Sequence, residues 1–223
     1  MRVSTLSIER SSNRLSHVSV QSPCGHLILK NTLFRESLTV RLDPIDCLDF
    51  PQTQGPTGPS GSGKSTLLSI LRLLEEFTGG SYQFKASEVG KMSFGEKARI
   101  RNAEIGFIFQ NFNLIGELSV RDNVALPLTF RSAFSSRERA RRVSFALERV
   151  GMEAFVDKRP WELSGGQQQR VAVARAIAGS PAIRLADEPT GNLDTENGQT
   201  IMGLLASLNC EGNTVCLITH QSQ

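Results

Sequence analysis

The run GPSGSGKS, Gly58 to Ser65, constrains this chain more than any other stretch. It fits G-x-x-x-x-G-K-[ST] in full, and STLLSILRLLEEF follows at once, with Leu67, Leu68, Leu71 and Leu74 at helical spacing. Glycines let successive backbone N–H groups turn inward around a phosphate. Lys64 then supplies a point charge to the β- and γ-phosphates, and the Ser65 hydroxyl can ligate Mg²⁺. The pattern predicts an α/β chain in which Gly58, Pro59, Ser60, Gly61, Ser62, Gly63, Lys64, Ser65 and Thr66 form a phosphate cradle, with the helix ending by Gly79 and Gly80. Kinases, GTPases and many ATPases share such a loop, so further motifs must choose among them.

Strand and helix patterns alternate beyond the loop. RNAEIGFIFQ carries a short strand, Ile105 to Phe109, ending in the polar Gln110. Ser119 with Asp122, and Ser135 with Glu138, open two consecutive helices at capping-box spacing. The second runs through Val143, Ala146, Leu147 and Val150 and carries Arg137, Arg139, Arg141, Arg142 and Arg149, which read as a solvated outer face. SPAIRLADEP gives a turn and a strand, TENGQTIMGLLASL a helix, and TVCLITH a last strand. Strands separated by helices imply a parallel sheet flanked by helices, with a helical subdomain at about 111–165.

Composition narrows the function classes. At 223 residues the chain can bury the core of one α/β domain, and its net charge of +3 is too mild to argue for a nucleic-acid partner. Cys24, Cys47, Cys210 and Cys216 form no CxxC pair, so they read as reduced thiols of a cytosolic protein. No apolar run approaches the roughly 18 residues that span a bilayer. Action at a membrane would therefore pass through a partner.

The class is decided by LSGGQQQR, Leu163 to Arg170. Ser164 stands at an N-cap with Gln167 three residues later, and Gly165 and Gly166 bring small groups and backbone N–H donors to a helix N-terminus that favours an anion. Two glycines are poor helix formers, and capping alone does not explain them. With this motif the chain resembles the nucleotide-binding domain of ATP-binding cassette (ABC) proteins, in which LSGGQ is the signature.

The resemblance implies further roles. In ADEP, Asp187 resembles the carboxylate that binds Mg²⁺ and Glu188 the base that polarises the attacking water. Gln110 resembles the glutamine near Mg²⁺ at the hinge to the helical subdomain, Asp194 in GNLD the aspartate that communicates between paired sites, and His220 the histidine that contacts the γ-phosphate. The family binds ATP and Mg²⁺ and pairs two domains head to tail. The signature of one, Ser164, Gly165, Gly166 and Gln167 here, covers the nucleotide held by the other. IGFIFQNFNLIGELSVRDNVALPL and LADEPTGNLDTENG most resemble ATPase subunits of lipoprotein-release and macrolide-export systems. The implied function is ATP hydrolysis that energises export, in a homodimer or with a paired ATPase subunit. The chain would lie on the cytoplasmic face of the membrane beside a transmembrane permease subunit.

Two other readings stand beside this one. A non-transport ABC ATPase acting on DNA or ribosomes is disfavoured because the interval from Gly58 to Ser164 leaves no room for coiled-coil arms. An inactive remnant is suggested by departures from the family. Residues 1–57 form an atypical region in which LDPIDCLDFPQTQGPT, with Pro51 and Pro56, replaces the aliphatic strand expected before the loop. No clear aromatic residue precedes the loop to stack on adenine; the single tyrosine, Tyr82, follows it. Arg184 occupies an aliphatic position in IRLADEP, and the expected core, 58–223, stops soon after His220, as if truncated.

Overall fold

The computed structural model describes residues 3–11, 18–22, 25–30, 37–45, 64–76, 81–85, 87–211 and 213–218, and the side chains it describes fall within residues 68–217. The chain divides into two compact units, Met1–Arg101 with Leu208–Gln223, and Asn102–Ser207.

The first unit holds β1 (Val3–Ser11), β2 (Val18–Ser22), β3 (Gly25–Lys30), β4 (Ser37–Ile45), α1 (Lys64–Leu71), β5 (Ser81–Phe84) and β6 (Ser87–Glu88). The strands form one sheet in the order β1-β4-β2-β3-β5-β6. β1 pairs antiparallel with β4 from Val3 opposite Ile45 to Ser11 opposite Ser37, and β2 touches β4 in parallel at Ser19 and Arg41. The LTVR segment thus lies in β4, which runs on into the atypical region as far as Ile45. Pro44 faces Ser4 of β1 and lies beyond the contact with β2, so its missing N–H interrupts no second ladder. The approach from Phe50 to Thr57, and Gly58 to Gly63 of the loop itself, lie outside the described residues.

The leucine-rich helix ends earlier than its spacing suggests. α1 stops at Leu71, and Leu73 takes a left-handed conformation with φ 57°. That turn reverses the face presented to the core: Leu68, Leu71 and Leu73 are buried, whereas Leu74, expected on the apolar face, is 59% exposed. Tyr82 is buried, and its hydroxyl donates to the Leu71 carbonyl at 3.3 Å, satisfying an acceptor that the end of the helix leaves open. Burial, then the nearby Cys216, push its phenol pKa well up. Cys216 is itself pushed up to about 12 by burial and is a core thiol.

Next comes α2 (Phe94–Glu104), which begins with a capping box that the sequence reading passed over. Ser93 N–H donates to Glu96 Oε2 at 2.8 Å and Glu96 N–H to Ser93 Oγ at 3.4 Å. The Ser93 hydroxyl and N–H bonds hold the Glu96 carboxyl below its usual range.

In the second unit, β7 (Ile105–Ile108) and β8 (Ile183–Asp187) pair in parallel, Ile105 opposite Ile183 and Ile108 opposite Ala186. β7 ends one residue before the expected Phe109. Between them lie α3 (Val120–Thr129), α4 (Ser136–Arg149) and α5 (Gly165–Ile177), and after them α6 (Thr195–Cys210). The connection by helices is the reason the two strands run parallel. β9 (Thr214–Ile218) returns the chain to the first unit, beside β1.

α5 lies at the centre of its unit, packed against α3, α4 and β7, with Val171, Ala172, Val173 and Ala174 fully buried. α3 contributes Val120, Val124 and Leu128 at intervals of four, and α4 contributes Val143, Ala146 and Leu147. Both are capped as expected: Ser119 accepts from the Asp122 N–H and Ser135 from that of Glu138. The arginine-rich face of α4 is mixed. Arg141 is exposed and pairs with Glu138, whereas Arg142 both pairs with Glu138 at 2.7 Å and lies 4.3 Å over the Phe134 ring. Arg184 is buried in β8, in register with Gly106 of β7.

One arginine ties two helix ends together. Arg131 donates through Nη2 to the Ala103 carbonyl at 2.9 Å and the Asn102 carbonyl at 2.5 Å, and through Nη1 to the Gly179 carbonyl at 2.7 Å. Its Nε reaches Asn102 Oδ1 at 3.3 Å. The acceptors lie in the last turn of α2 and just beyond α5, where helix carbonyls lack intrahelical donors and favour a cation. Arg131→Ala should therefore cost about 2–3 kcal/mol in urea unfolding, and Arg131→Lys should recover less than half of that, because an ammonium cannot span the three carbonyls.

Candidate functional site

The signature run forms the start of α5 as its spacing requires. Ser164 has extended backbone and accepts from the Gln167 N–H at 3.3 Å, while Gln167 Oε1 accepts from the Ser164 N–H at 2.9 Å. This reciprocal cap uses two backbone donors and leaves the first-turn N–H groups of Gly165 and Gly166 without intrahelical acceptors. Ser164 is exposed, so the positive end of the helix faces solvent. Gly166 has a second reason to be glycine. A Cβ there would meet Asn197 of α6, with Cγ at 2.5 Å and Cβ at 3.1 Å.

Asn197 in turn belongs to the cap of α6. Its N–H donates to Asp194 Oδ1 at 2.9 Å and its Nδ2 to Oδ2 at 2.7 Å. These two bonds, the backbone one foremost, hold the Asp194 carboxyl below its usual range. Asp194 is thus the N-cap of α6, and it stands one residue from Leu193, whose Cδ2 lies 3.7 Å from a Cβ built on Gly165. The structure brings the signature and the GNLD run together through small-residue contacts.

Asp187 closes β8 and Glu188 follows it, both half-buried. Glu188 takes φ 44°, a left-handed conformation that a residue with a Cβ adopts at a cost of about 1–3 kcal/mol. The turn is held by the Gly191 N–H, which donates to the Glu188 carbonyl at 3.0 Å. A Cβ on Gly191 would lie 2.6 Å from Gln110 Nε2, so glycine admits Gln110 to this turn.

Gln110 lies just past the end of β7 and is fastened to GNLD rather than left to swing. Its Nε2 donates to Asn192 Oδ1 at 3.4 Å, and Asn192 Nδ2 donates to the Gln110 carbonyl at 3.2 Å and to Asn111 Oδ1 at 2.6 Å. Phe112 and Asn113 both have positive φ, 60° and 49°. Arg175 of α5 holds them, donating to the Phe112 carbonyl at 2.7 Å and to that of Asn113. Burial lowers the Arg175 pKa but leaves it a cation.

Of the residues named from sequence, Gln110, Ser164, Gly165, Gly166, Gln167, Asp187, Glu188 and Asp194 lie in the second unit. Lys64, Ser65 and Thr66 open α1 in the first, with their side chains outside the described residues. His220 also lies outside them. Tyr82, buried and bonded to Leu71, is not free to stack on a base. Sequence reading missed the supporting shell of Asn192, Asn197, Arg175 and Gln169. Asn192 and Gln169 sit inside motifs already recognised, GNLD and LSGGQQQR, which was the available signal.

The donor set suits a nucleotide and a hard cation. An exposed helix N-terminus with open N–H donors accepts an anion, and a carboxylate at a strand end offers the oxygen ligand that Mg²⁺ prefers. Among the described residues no group of three or more His, Cys, Asp and Glu side chains could hold a metal by itself.

Known proteins carry the same plan. A family model described as ABC transporter matches residues 52–191. The chain is 46% identical over 185 residues to the ABC transporter ATP-binding protein YknY of Bacillus subtilis (strain 168), spanning 81% of this chain and 80% of that protein. It is 44% identical over 184 residues to the macrolide export ATP-binding/permease protein MacB 1 of Aeromonas hydrophila subsp. hydrophila, spanning 81% of this chain and 28% of that one. Among solved structures it is similar to the ATP-binding cassette MJ0796 in a dimeric post-hydrolysis state bound to ADP and Pi. That similarity is 38% in sequence, with a TM-score of 0.67, over 95% of this chain and 88% of that one. The matched stretch runs unbroken from the phosphate loop through the signature to the carboxylate pair, and the chain belongs to the ABC transporter family, among its ATP-binding proteins.

Proposed function

We propose that this chain hydrolyses MgATP as the energising subunit of an export system. It works as a head-to-tail homodimer or with a paired ATPase subunit, on the cytoplasmic face of a membrane and beside a separate transmembrane permease. The observation that carries the reading is the end of β8. There Asp187 closes the strand, Glu188 is held in a strained turn, and the same turn fastens Gln110. Phosphoryl transfer asks a protein mainly for positioned charge, and a strained, over-determined carboxylate is how a fold fixes one.

In this reading Gly58, Pro59, Ser60, Gly61, Ser62, Gly63, Lys64, Ser65 and Thr66 cradle the phosphates at the N-terminus of α1. Ser65 and Asp187 would hold Mg²⁺, assisted by Gln110, whose Nε2 bond to Asn192 leaves its side-chain Oε1 to serve as a ligand. The metal, when bound, supplies neutralisation of charge on the β- and γ-phosphate oxygens. Glu188 accepts the proton of the attacking water, and His220 contacts the γ-phosphate. Ser164, Gly165, Gly166 and Gln167 present donors to the nucleotide of the paired subunit, with Asp194 beside them. A dimeric relative bound to ADP and Pi supports the pairing.

Export and the permease find support in the likeness to a macrolide export protein whose name joins an ATP-binding part to a permease part. No helix among the described residues is long and apolar enough to cross a membrane, which suits a separate partner. The boundaries proposed are a core at 58–223 with a helical subdomain at about 111–165, and no nucleic-acid partner is expected.

Two substitutions test the assignment. Lys64→Ala should weaken MgATP binding by about 10- to 100-fold in calorimetry, the worth of one charge-assisted contact to phosphate. Glu188→Gln should keep that binding, lower kcat by about 10²- to 10⁴-fold, and accumulate an ATP-bound dimer on gel filtration. Hydrolysis by Glu188→Gln at the parent rate would remove Glu188 from the role of base.

A further inference from the structure

Gln169 lies two residues beyond the signature pentapeptide and is fully buried. Its Nε2 donates at 3.2 Å to the Phe109 carbonyl, the residue before Gln110, and at 2.7 Å to the Pro189 carbonyl, the residue after Glu188. One amide thus grips both turns that carry the proposed metal-assisting glutamine and the proposed base. Its Oε1 is buried without a hydrogen-bond partner, so the carboxamide is held by its donor half alone. The alternative flip would set an oxygen against two carbonyls and is excluded by repulsion.

Leaving a buried acceptor open is costly, and a hydrophobic side chain of similar length would avoid that cost. A donor at this position is therefore explained by what it holds. Each gripped turn carries a local bond of its own, Phe112 N–H to the Phe109 carbonyl at 3.3 Å and Gly191 N–H to the Glu188 carbonyl at 3.0 Å. Each also contains left-handed residues, Glu188 on one side and Phe112 and Asn113 on the other, which persist only where neighbours over-determine them. α5, rigid because it is packed all round, is the anchor from which Gln169 does this.

We propose that Gln169 is a positioning residue that fixes Gln110 and Glu188 in a single geometry and ties both to the signature helix. Movement of the N-terminus of α5, where the paired subunit's nucleotide would be met, is thereby passed to the base and to the metal-assisting side chain of the same subunit. The proposal rests on the roles given above to Gln110 and Glu188, but its structural half can be measured without nucleotide.

Amide hydrogen exchange on the nucleotide-free full chain is the test, with Gln169→Met as the variant because its side chain is unbranched, of similar length and has no donor. Exchange at Phe112 and Gly191 should rise at least tenfold in the variant, while Val173 and Ala174 in the middle of α5 keep their protection. Equal acceleration everywhere, or none at the two turns, would overturn the proposal. If Gln169→Met does not fold, the parent alone decides. Phe112 and Gly191 should show protection close to that of α5, and exchange several orders of magnitude faster than α5 would sink the idea.

The catalytic half is read with MgATP. Gln169→Met should lower kcat at least tenfold with KM within threefold of the parent, and in a Glu188→Gln background it should add a smaller loss than in the parent, the part that passes through Gln110. An undiminished kcat, or a full additional loss in that background, counts against Gln169 acting through Glu188. A parent that binds no ATP would instead overturn the function proposed for the chain and leave the exchange result standing.

Discussion

Burial of α5 on nearly every side is the constraint from which the second unit follows. Val171, Val173 and Ile177 each contribute on the order of 1.5–3 kcal/mol by leaving water, and the alanines between them let α3, α4 and β7 approach closely. A helix packed all round has one free place to present chemistry, its end. Ser164 and Gln167 close two donors of that end reciprocally, and the N–H groups of Gly165 and Gly166 lie in the first turn, where the helix offers them no acceptor. The hydrophobic sequence of α5 and its polar, small-residue start are two halves of one requirement.

Around this helix the turns of the site are held by polar side chains that reach backbone carbonyls. Arg175 pins Phe112 and Asn113, Gln169 pins Phe109 and Pro189, and Asn192 pins Gln110. Carbonyls are the natural targets, because irregular turns leave them without ladder partners and a buried open acceptor is expensive. Arg131 applies the same device to the ends of α2 and α5, away from the site. Stability and site geometry are thus built with one kind of interaction, and a substitution at any of these four side chains frees backbone as well as a side chain.

Much of this was legible in order along the chain. Capping at Ser119, Ser135 and Ser164 could be read because an N-cap is a local matter of one side-chain oxygen and one N–H three residues on. The strand of ADEP and the polar end of GFIFQ could be read because periodicity and polarity change within a few residues. Less legible was where α1 stops: Leu74 continues the helical stripe in sequence, but the left-handed turn at Leu73 moves burial by one residue. The Arg184 position also reads as damage in isolation, and its register opposite Gly106 is a property of strand pairing that sequence does not carry.

By itself the sequence determined the family, the alternation of strands and helices, and the identity of the chemical groups, since each of these depends on residue type at short spacing. Only the tertiary structure decided that Gly166 must be small because Asn197 packs upon it, that Gln110 is fastened to Asn192, and that one buried amide, Gln169, joins turns separated from it by 60 and 20 residues. The reason is physical: these are contacts between backbone and side chains brought together by packing around α5, and no periodicity along the chain encodes which carbonyl a buried donor will find.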